Sequence, residues 1–580
     1  MKQCSACWVV ILAATLQLGQ ADLPVHCLRH QIVGEWEFTL GPLGPKRTSC
    51  GHKSPDNPYK QPHMKFLEQM GSLTKTKMTL HDPNTVSAED SSTGTWTMIY
   101  DEAFEVATGG FVYTAFSKFE FTDAGMQHNV SKCDETQIGW YHDVARSRWG
   151  CYIGKKTTPA VAEVVEKDAG VVKGAPVLAL SAFGSAVEAH APQEDDGALS
   201  SWLDSPDQMS ASEEKAPTEL QKHEQEEKAS QDIMETPADY QPWVPKSAGF
   251  NQPMESEWQK SVATALNFLQ LGWTAKVYDQ FQGKSPHELN KYAGVRRIRS
   301  RIQKPDWSDA KASFTSFLGM GSRVRRASFD ADDLDWRKKD GKNWVTPVVT
   351  QGDCGSCYTI STVHMLTARN RIQQHNTAEP SFSSSFPLYC SEYNQGCDGG
   401  YGFLQSKWTE DVGLVPEHCS PFSTGGGHCA ITPTCNLGNT RYRATQHHYV
   451  GGYYGGSDAD SIKKELVENG PVVMSFEPSE DFMYYKDGVY KSGPHKIHQE
   501  WEQVDHAVLL IGYGMDKTAP YWTMQNSWGD DWGEDGYFRM ARGIDESSCE
   551  SIVVAAEVIK ESSNPTLDDF VALFKATPAI

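Results

Sequence analysis

Between residues 22 and 155 apolar and polar positions alternate in short runs, among them Glu35-Trp36-Glu37-Phe38-Thr39-Leu40, Thr95-Trp96-Thr97-Met98-Ile99-Tyr100 and Phe111-Val112-Tyr113-Thr114-Ala115-Phe116. A period of two rich in aromatic residues, broken by Gly, Pro and Asp, predicts antiparallel strands that close into a small β-barrel. From 156 to 250 no period is sustained and Ser, Pro, Ala and Gln recur, as in a low-complexity insertion or linker. The period turns helical between Trp258 and Lys291, where Val262, Leu266, Leu269 and Val277 predict one or two helices ahead of the basic run Arg296-Arg297-Ile298-Arg299-Ser300-Arg301. A second basic cluster, Arg323-Val324-Arg325-Arg326, follows. From Leu334 to about Lys560 Gly, Tyr, Trp and Cys accumulate, with helical patterns first and strand patterns later, so the fold class is α+β. Residues 561–580 end the chain with a short amphipathic helix over Leu567–Lys575, and no internal repeat is found.

Of 580 residues 39% are hydrophobic and 22% charged, as in soluble globular proteins, and the length suits several domains. The net charge of −22 argues against nucleic acid as a partner. Half of it lies between Ala191 and Tyr240, where fourteen acids face three lysines, the mark of a solvated segment. Residues 1–21 read as a signal peptide: Lys2 is the positive end, Cys7 to Leu18 is mostly apolar, and Gly19 and Ala21 precede a cut that leaves Asp22 first. That stretch is too short to span a bilayer, and Val171–Val187 is broken by Lys173, Gly174 and Pro176, so no membrane anchor is expected. Secretion favours disulfides among the twelve cysteines left once Cys4 and Cys7 are removed from fourteen. In a secreted chain the two basic clusters suit either solvated surface or processing by trypsin-like or furin-like proteases.

The strongest chemical signal is Gln351-Gly352-Asp353-Cys354-Gly355-Ser356-Cys357-Tyr358, leading into a helical pattern over Tyr358–Gln374. A cysteine at the first turn of a helix gains from the unpaired N–H groups and the positive dipole end, which favour thiolate, the nucleophilic form. A Cys-x-x-Cys redox pair or half a zinc site would use the same letters, but no second half follows. A nucleophilic cysteine needs a base and a group to orient it. His506 opens the apolar run Ala507-Val508-Leu509-Leu510-Ile511, and Asn526 lies in Gln525-Asn526-Ser527-Trp528-Gly529. Alone, such a histidine is more often structural; in order with the cysteine and asparagine motifs it points to catalysis.

Together these motifs resemble the papain-like cysteine peptidases. The resemblance implies a two-lobed domain with a helical lobe and a β-barrel lobe over 327–560. Cys357 would attack the scissile carbonyl, with His506 as partner, Asn526 fixing its ring, Trp528 shielding that bond, and Gln351 donating to the oxyanion. Gly399 and Gly400 match the backbone strip that pairs with extended substrate, although a Gly-Gly turn is the ordinary reading. Tyr358 after the nucleophile, Tyr449-Val450-Gly451-Gly452-Tyr453-Tyr454-Gly455-Gly456 and the N-terminal motifs Gly139-Trp140-Tyr141-His142-Asp143 and Trp149-Gly150-Cys151-Tyr152 resemble the dipeptide-releasing branch of that family.

This branch implies an exclusion domain over 22–155, a helical propeptide over 251–326, and a cleft blocked beyond the second substrate residue. Peptides and proteins with a free N-terminus would be the substrates, and the carboxylate of Asp22 would bind their ammonium. It further implies the disulfides Cys27–Cys133, Cys50–Cys151, Cys354–Cys397, Cys390–Cys429 and Cys419–Cys435, an activating protease, a homotetramer, and a lysosomal, endolysosomal or vacuole-like compartment, or secretion. A chloride ion is implied at Tyr449 and Phe403, where phenylalanine replaces the family's usual tyrosine; no metal or organic cofactor is expected. Asn129-Val130-Ser131 is a glycosylation sequon. The alternatives are a papain-like endopeptidase and a catalytically silent binding protein on the same fold; a thiol oxidoreductase using Cys354 and Cys357 is the third.

Overall fold

The structure, a computed structural model, describes residues 27–52, 63–121, 129–157, 253–289, 292, 333–423, 427–479, 481–492, 506–517 and 519–576. The expected signal peptide, Asp22, the acidic insertion and both basic clusters lie outside them.

The N-terminal region forms nine strands: β1 (Gly34–Leu40), β2 (Thr74–His81), β3 (Thr85–Ala88), β4 (Thr93–Ile99), β5 (Ala103–Thr108), β6 (Phe111–Phe121), β7 (Asn129–Thr136), β8 (Gly139–Asp143) and β9 (Trp149–Lys156). Antiparallel neighbours run β1 through β6; β6 also pairs with β8, β8 with β9, and β9 with β1. Eight strands thus close into a barrel, with β7 alongside β6 and β9. Closure leaves those eight without a free edge, and alternate residues fill the interior. Trp36, Phe38, Phe104 and Tyr152 are fully buried there, with Phe38 4.8 Å from Tyr152 and Trp36 5.0 Å from Phe104 between ring centroids. Disulfides Cys27–Cys133 and Cys50–Cys151 staple this barrel.

The expectation of helices alone over 258–291 is corrected. One helix runs Ser256–Phe268, Gly272 then turns the chain at φ 89°, β10 (Trp273–Ala275) follows, and a second, one-turn helix spans Pro286–Leu289. The first helix buries Gln259, Ala263 and Leu266, whereas Leu269, expected on that face, is 48% exposed. Trp273 and Ala275 alternate inward, the period of a strand, which is why the helical reading fails there.

The C-terminal region supplies β11 (Leu334–Asp335), β12 (Arg441–Tyr449), β13 (Val472–Phe476), β14 (Tyr485–Tyr490), β15 (His506–Asp516), β16 (Ala519–Gln525), β17 (Tyr537–Ala541) and β18 (Ile552–Glu561). They form one sheet in the order β14-β17-β16-β15-β13-β18-β12, with β10 added outside β14 and β11 paired to β15. Against it packs the helix Cys357–Gln373, buried on every side from Cys357 to Asn370, as expected of a helix between two layers. Disulfides Cys354–Cys397, Cys390–Cys429 and Cys419–Cys435 brace the helical side. The last helix, Pro565–Ala576, buries Leu567 and sets Phe570 against Trp408 and Phe386. Among the described residues no helix is long and apolar enough to cross a membrane.

Candidate active site

Cys357 is the first residue of the buried helix and takes part in no disulfide, unlike Cys354 three residues earlier. His506 is the first residue of β15. A small cavity lined by Ile360 and Ser361 of the helix, Ala507 to Leu509 of β15 and Gln525 to Ser527 shows that these elements meet at the same end. Their opening residues therefore share one face of the domain.

The loop before the helix is tied to the loop after β16. Gln351 N–H donates to the Ser527 carbonyl at 2.8 Å, Ser527 Oγ donates to Gln351 Oε1 at 2.6 Å, and Gln351 Nε2 donates to the Cys354 carbonyl at 3.0 Å. This fixes a buried side-chain amide beside the helix N-terminus.

His506 Nε2 lies 2.8 Å from Asn526 Oδ1, which also accepts the Ser527 N–H at 2.8 Å. An amide oxygen accepts only, so Nε2 carries the proton and Nδ1 holds the lone pair. Nδ1 is buried with no hydrogen-bond partner. Trp528 stacks on the ring, centroids 5.0 Å apart and 27° between planes. Burial lowers the imidazole pKa from its ordinary value to about 4, opposed by the Asn526 bond.

The expected substrate strip has two separate reasons for glycine. Gly399 sits at φ 128°, where a side chain is strained, and a Cβ on Gly400 would meet Asn394 Oδ1 at 2.4 Å. Asn394 Oδ1 in turn accepts the Tyr401 N–H at 2.9 Å. Here the barrel arrives. Tyr100, in the turn between β4 and β5, adopts φ 51° and stacks on Tyr401 at 3.9 Å, while Tyr401 OH donates to Glu102 Oε1 at 2.8 Å. The alternation that located β4 carried no sign that the turn after it reaches this strip. The same turn holds the start of the described chain, since the Cys27 N–H donates to the Asp101 carbonyl at 2.7 Å.

The far side of Trp528 is covered by the segment around β10. Its indole N–H donates to the Tyr292 carbonyl at 3.0 Å, its carbonyl accepts from Gln280 Nε2 at 3.0 Å, and Phe281 meets its ring edge-on at 5.6 Å. Lys284 Nζ pairs with Asp353 Oδ1 at 2.8 Å, in the loop that leads to Cys357.

Tyr449 and Phe403 stack at 4.5 Å, with the Tyr449 hydroxyl buried beside the Tyr100 backbone. That hydroxyl fits an anion as a donor; Phe403 brings none. Asp22 lies outside the described residues. The backbone of Asn129 opens β7, and its side chain lies outside what the structure describes. Among the described residues no group of three or more His, Cys, Asp or Glu is arranged to hold a metal ion.

With this geometry in hand, comparisons give a consistent picture. The model of papain family cysteine proteases matches residues 331–557, and that of the cathepsin C exclusion domain matches 22–156. A "Cathepsin C" from Schistosoma mansoni is 36% identical over 299 residues, half of this chain and 63% of that protein, so the match takes in less than two thirds of it. A "Cathepsin B-like CP3" from Giardia intestinalis is 34% identical over 294 residues, 49% of this chain and 88% of the relative. Among solved structures, a digestive procathepsin L2 proteinase from Tenebrio molitor larval midgut aligns at 25% identity and a TM-score of 0.41, covering 52% of this chain and 89% of that one.

Proposed function

The chain belongs to the papain family of cysteine proteases, and from that premise we propose that it is a dipeptidyl peptidase, made as a zymogen, that removes dipeptides from the free N-termini of peptides and proteins. The observation that carries the reading is the contact of the barrel with the residue after the Gly399-Gly400 strip, where Tyr100 and Glu102 hold Tyr401. A wall at that end leaves room for a short stretch of substrate before the scissile bond. Asp22 stands five residues before Cys27, which is held to the same turn. Five extended residues span roughly 17 Å, so its carboxylate can reach a substrate ammonium there.

In the reaction, the Cys357 thiolate adds to the scissile carbonyl carbon, and the oxyanion that forms accepts from the Gln351 amide and the Cys357 N–H. His506, held by Asn526 in the tautomer that leaves the Nδ1 lone pair free, takes the Cys357 thiol proton on Nδ1 as the thiolate forms and gives that proton to the departing amine as the C–N bond breaks. The thioester that remains is attacked by water, whose proton passes to His506, and the dipeptide leaves as a carboxylic acid while the thiolate is restored. Trp528 keeps water from the His506–Asn526 bond. A chloride ion, when bound, would place a negative charge next to the Tyr449 hydroxyl and shape the pocket around it.

Gln280, Phe281 and Tyr292 occupy the face of Trp528 that a leaving peptide would use, so the 251–326 segment blocks this end until an activating protease removes it. The acidic endolysosomal compartment or secretion follows from the same reading. Its test is product analysis. Processed enzyme given a decapeptide should release successive dipeptides from the N-terminus, an activity lost in Cys357→Ser; internal fragments as the first products would instead mark an endopeptidase.

A further inference from the structure

Away from the cleft, the barrel meets the papain-like domain through a buried group of charges. His447 of β12 stands at its centre. Its Nε2 lies 3.0 Å from Glu105 Oε1 on β5, and its Nδ1 contacts Glu410 Oε2 at the end of the helix Gly402–Asp411. Glu105 comes from the barrel and Glu410 from the papain-like domain, so one ring bridges the two. A neutral imidazole has a single N–H and would leave one carboxylate facing a lone pair; a carboxylate on each nitrogen demands imidazolium.

The neighbours agree. Glu105 Oε2 lies 3.1 Å from Lys407 Nζ and accepts from Thr114 Oγ1 at 2.8 Å. Lys407 also faces Asp411 Oδ2 at 3.4 Å, and Arg146 of the barrel pairs with Glu410 and with Asp411 at 3.3 Å. Tyr393 OH donates to Asp411, His142 faces it at 3.7 Å, and Phe403 meets the His447 ring edge-on. Arg47 pairs with Glu392 and also acts on Asp411. Four carboxylates (Glu105, Glu410, Asp411, Glu392) thus face three permanent cations (Lys407, Arg146, Arg47), and the fourth positive charge is His447. The chain bends to supply it: a bulge in β12 between Thr445 and His448, with Gln446 at φ 54°, also sends the Gln446 and His447 N–H groups to Glu410 at 3.2 Å each.

We propose that His447 is a specificity-determining clasp: as an imidazolium it locks the barrel onto the papain-like domain, and loss of its charge loosens the barrel and opens the blocked end of the cleft to internal peptide bonds. The second half rests on the dipeptidyl reading; the first does not. The two carboxylates raise the His447 pKa to about 9 against the opposing effect of burial. The clasp is therefore intact below the ordinary histidine value of about 6.5 and is lost as pH rises through about 9. On the acid side, Lys407 and His447 hold Glu105 well below the carboxylate range, and His447 and Arg146 hold Glu410 down to about 2, although burial opposes both shifts. His142, kept neutral by burial down to about 4, adds no charge in between. The clasp so suits an acidic compartment.

The test uses full-length protein carrying Cys357→Ser and follows hydrogen exchange in residues 93–116, corrected for the intrinsic pH dependence, with the buried helix 357–373 as internal control. The parent should exchange at least about tenfold faster in this segment above pH 9 than at pH 6, as for loss of a charge from a buried network. His447→Gln should be loose already at pH 6, and His447→Lys, charged to about pH 10, should stay tight past the point where the parent opens. In processed wild-type and variant enzyme, cleavage of an N-acetylated peptide relative to its free-amine twin should rise with the same pH dependence. Equal exchange in His447→Gln and parent at pH 6, or a His447→Lys that loosens together with the parent, overturns the clasp. If the exchange results hold while wild-type enzyme cleaves both peptides alike at every pH, it is the dipeptidyl reading that fails, and with it the link from docking to specificity.

Discussion

Phe281 is the residue through which the covering segment grips the cleft, and replacing it tests that grip. Its side chain is 2% exposed, packed edge-on against Trp528 at 5.6 Å and against Tyr292 at 5.2 Å. The Gln259 bond goes to its carbonyl and survives truncation. A buried Phe→Ala change costs about 3–5 kcal/mol. Part of this falls on the segment's own packing with Tyr278, so the low end, about 3 kcal/mol, is the share expected to weaken docking over Trp528, roughly a hundredfold in the docked-to-open ratio. Full-length, uncleaved Phe281→Ala protein should then hydrolyse a fluorogenic dipeptide amide at least about tenfold faster than the uncleaved parent. Removal of residues 251–326 makes the two proteins identical, so equal activity after processing is the control. If uncleaved Phe281→Ala is as silent as the parent while the processed forms agree, the segment does not inhibit through Trp528.

Other consequences follow from the same geometry. Asn526→Ala removes the acceptor that fixes the His506 ring, and should lower kcat roughly a hundredfold with little change in KM; a loss confined to KM would place Asn526 in binding instead. His142, His364 and His506 are each kept neutral by burial down to about 4. Unfolding therefore takes up protons between about pH 6.5 and 4, so stability falls as pH drops through that window, by up to about 1.4 kcal/mol per pH unit for each histidine. Denaturant midpoints of the Cys357→Ser protein that stay level across it would contradict this. Tyr449→Phe, which removes the buried hydroxyl, should abolish any rate difference between chloride and sulfate buffers of equal ionic strength; an unchanged chloride effect would move the anion elsewhere.

Alternation around Trp36, Phe38 and Trp96 was enough to read the barrel, because a closed sheet imposes a strict inside and outside. The active-site helix was legible from Tyr358 onward and in fact begins at Cys357. Its helical run has no polar face, since both sides are covered, so it was the cysteine motif rather than amphipathicity that marked it. Spacing left the pairing of twelve cysteines open, and only the family resemblance suggested one. β10 was missed because three residues are too few for a period to declare itself. The Tyr100 wall and the His447 clasp were invisible for another reason: their residues come from distant parts of the chain, and only the docking of barrel on papain-like domain brings them together. His447 in particular reads in sequence as half of an unremarkable His447-His448 pair.

The central claim is that this papain-family cleft is closed at one end and reads a free amine. The most direct measurement compares, on processed enzyme at weakly acidic pH under mild reduction, hydrolysis of a fluorogenic dipeptide amide and of its N-acetylated twin. Cleavage of the free amine alone, lost in Asp22→Ala, is the predicted result; equal cleavage of both would contradict the account and make the protein an endopeptidase.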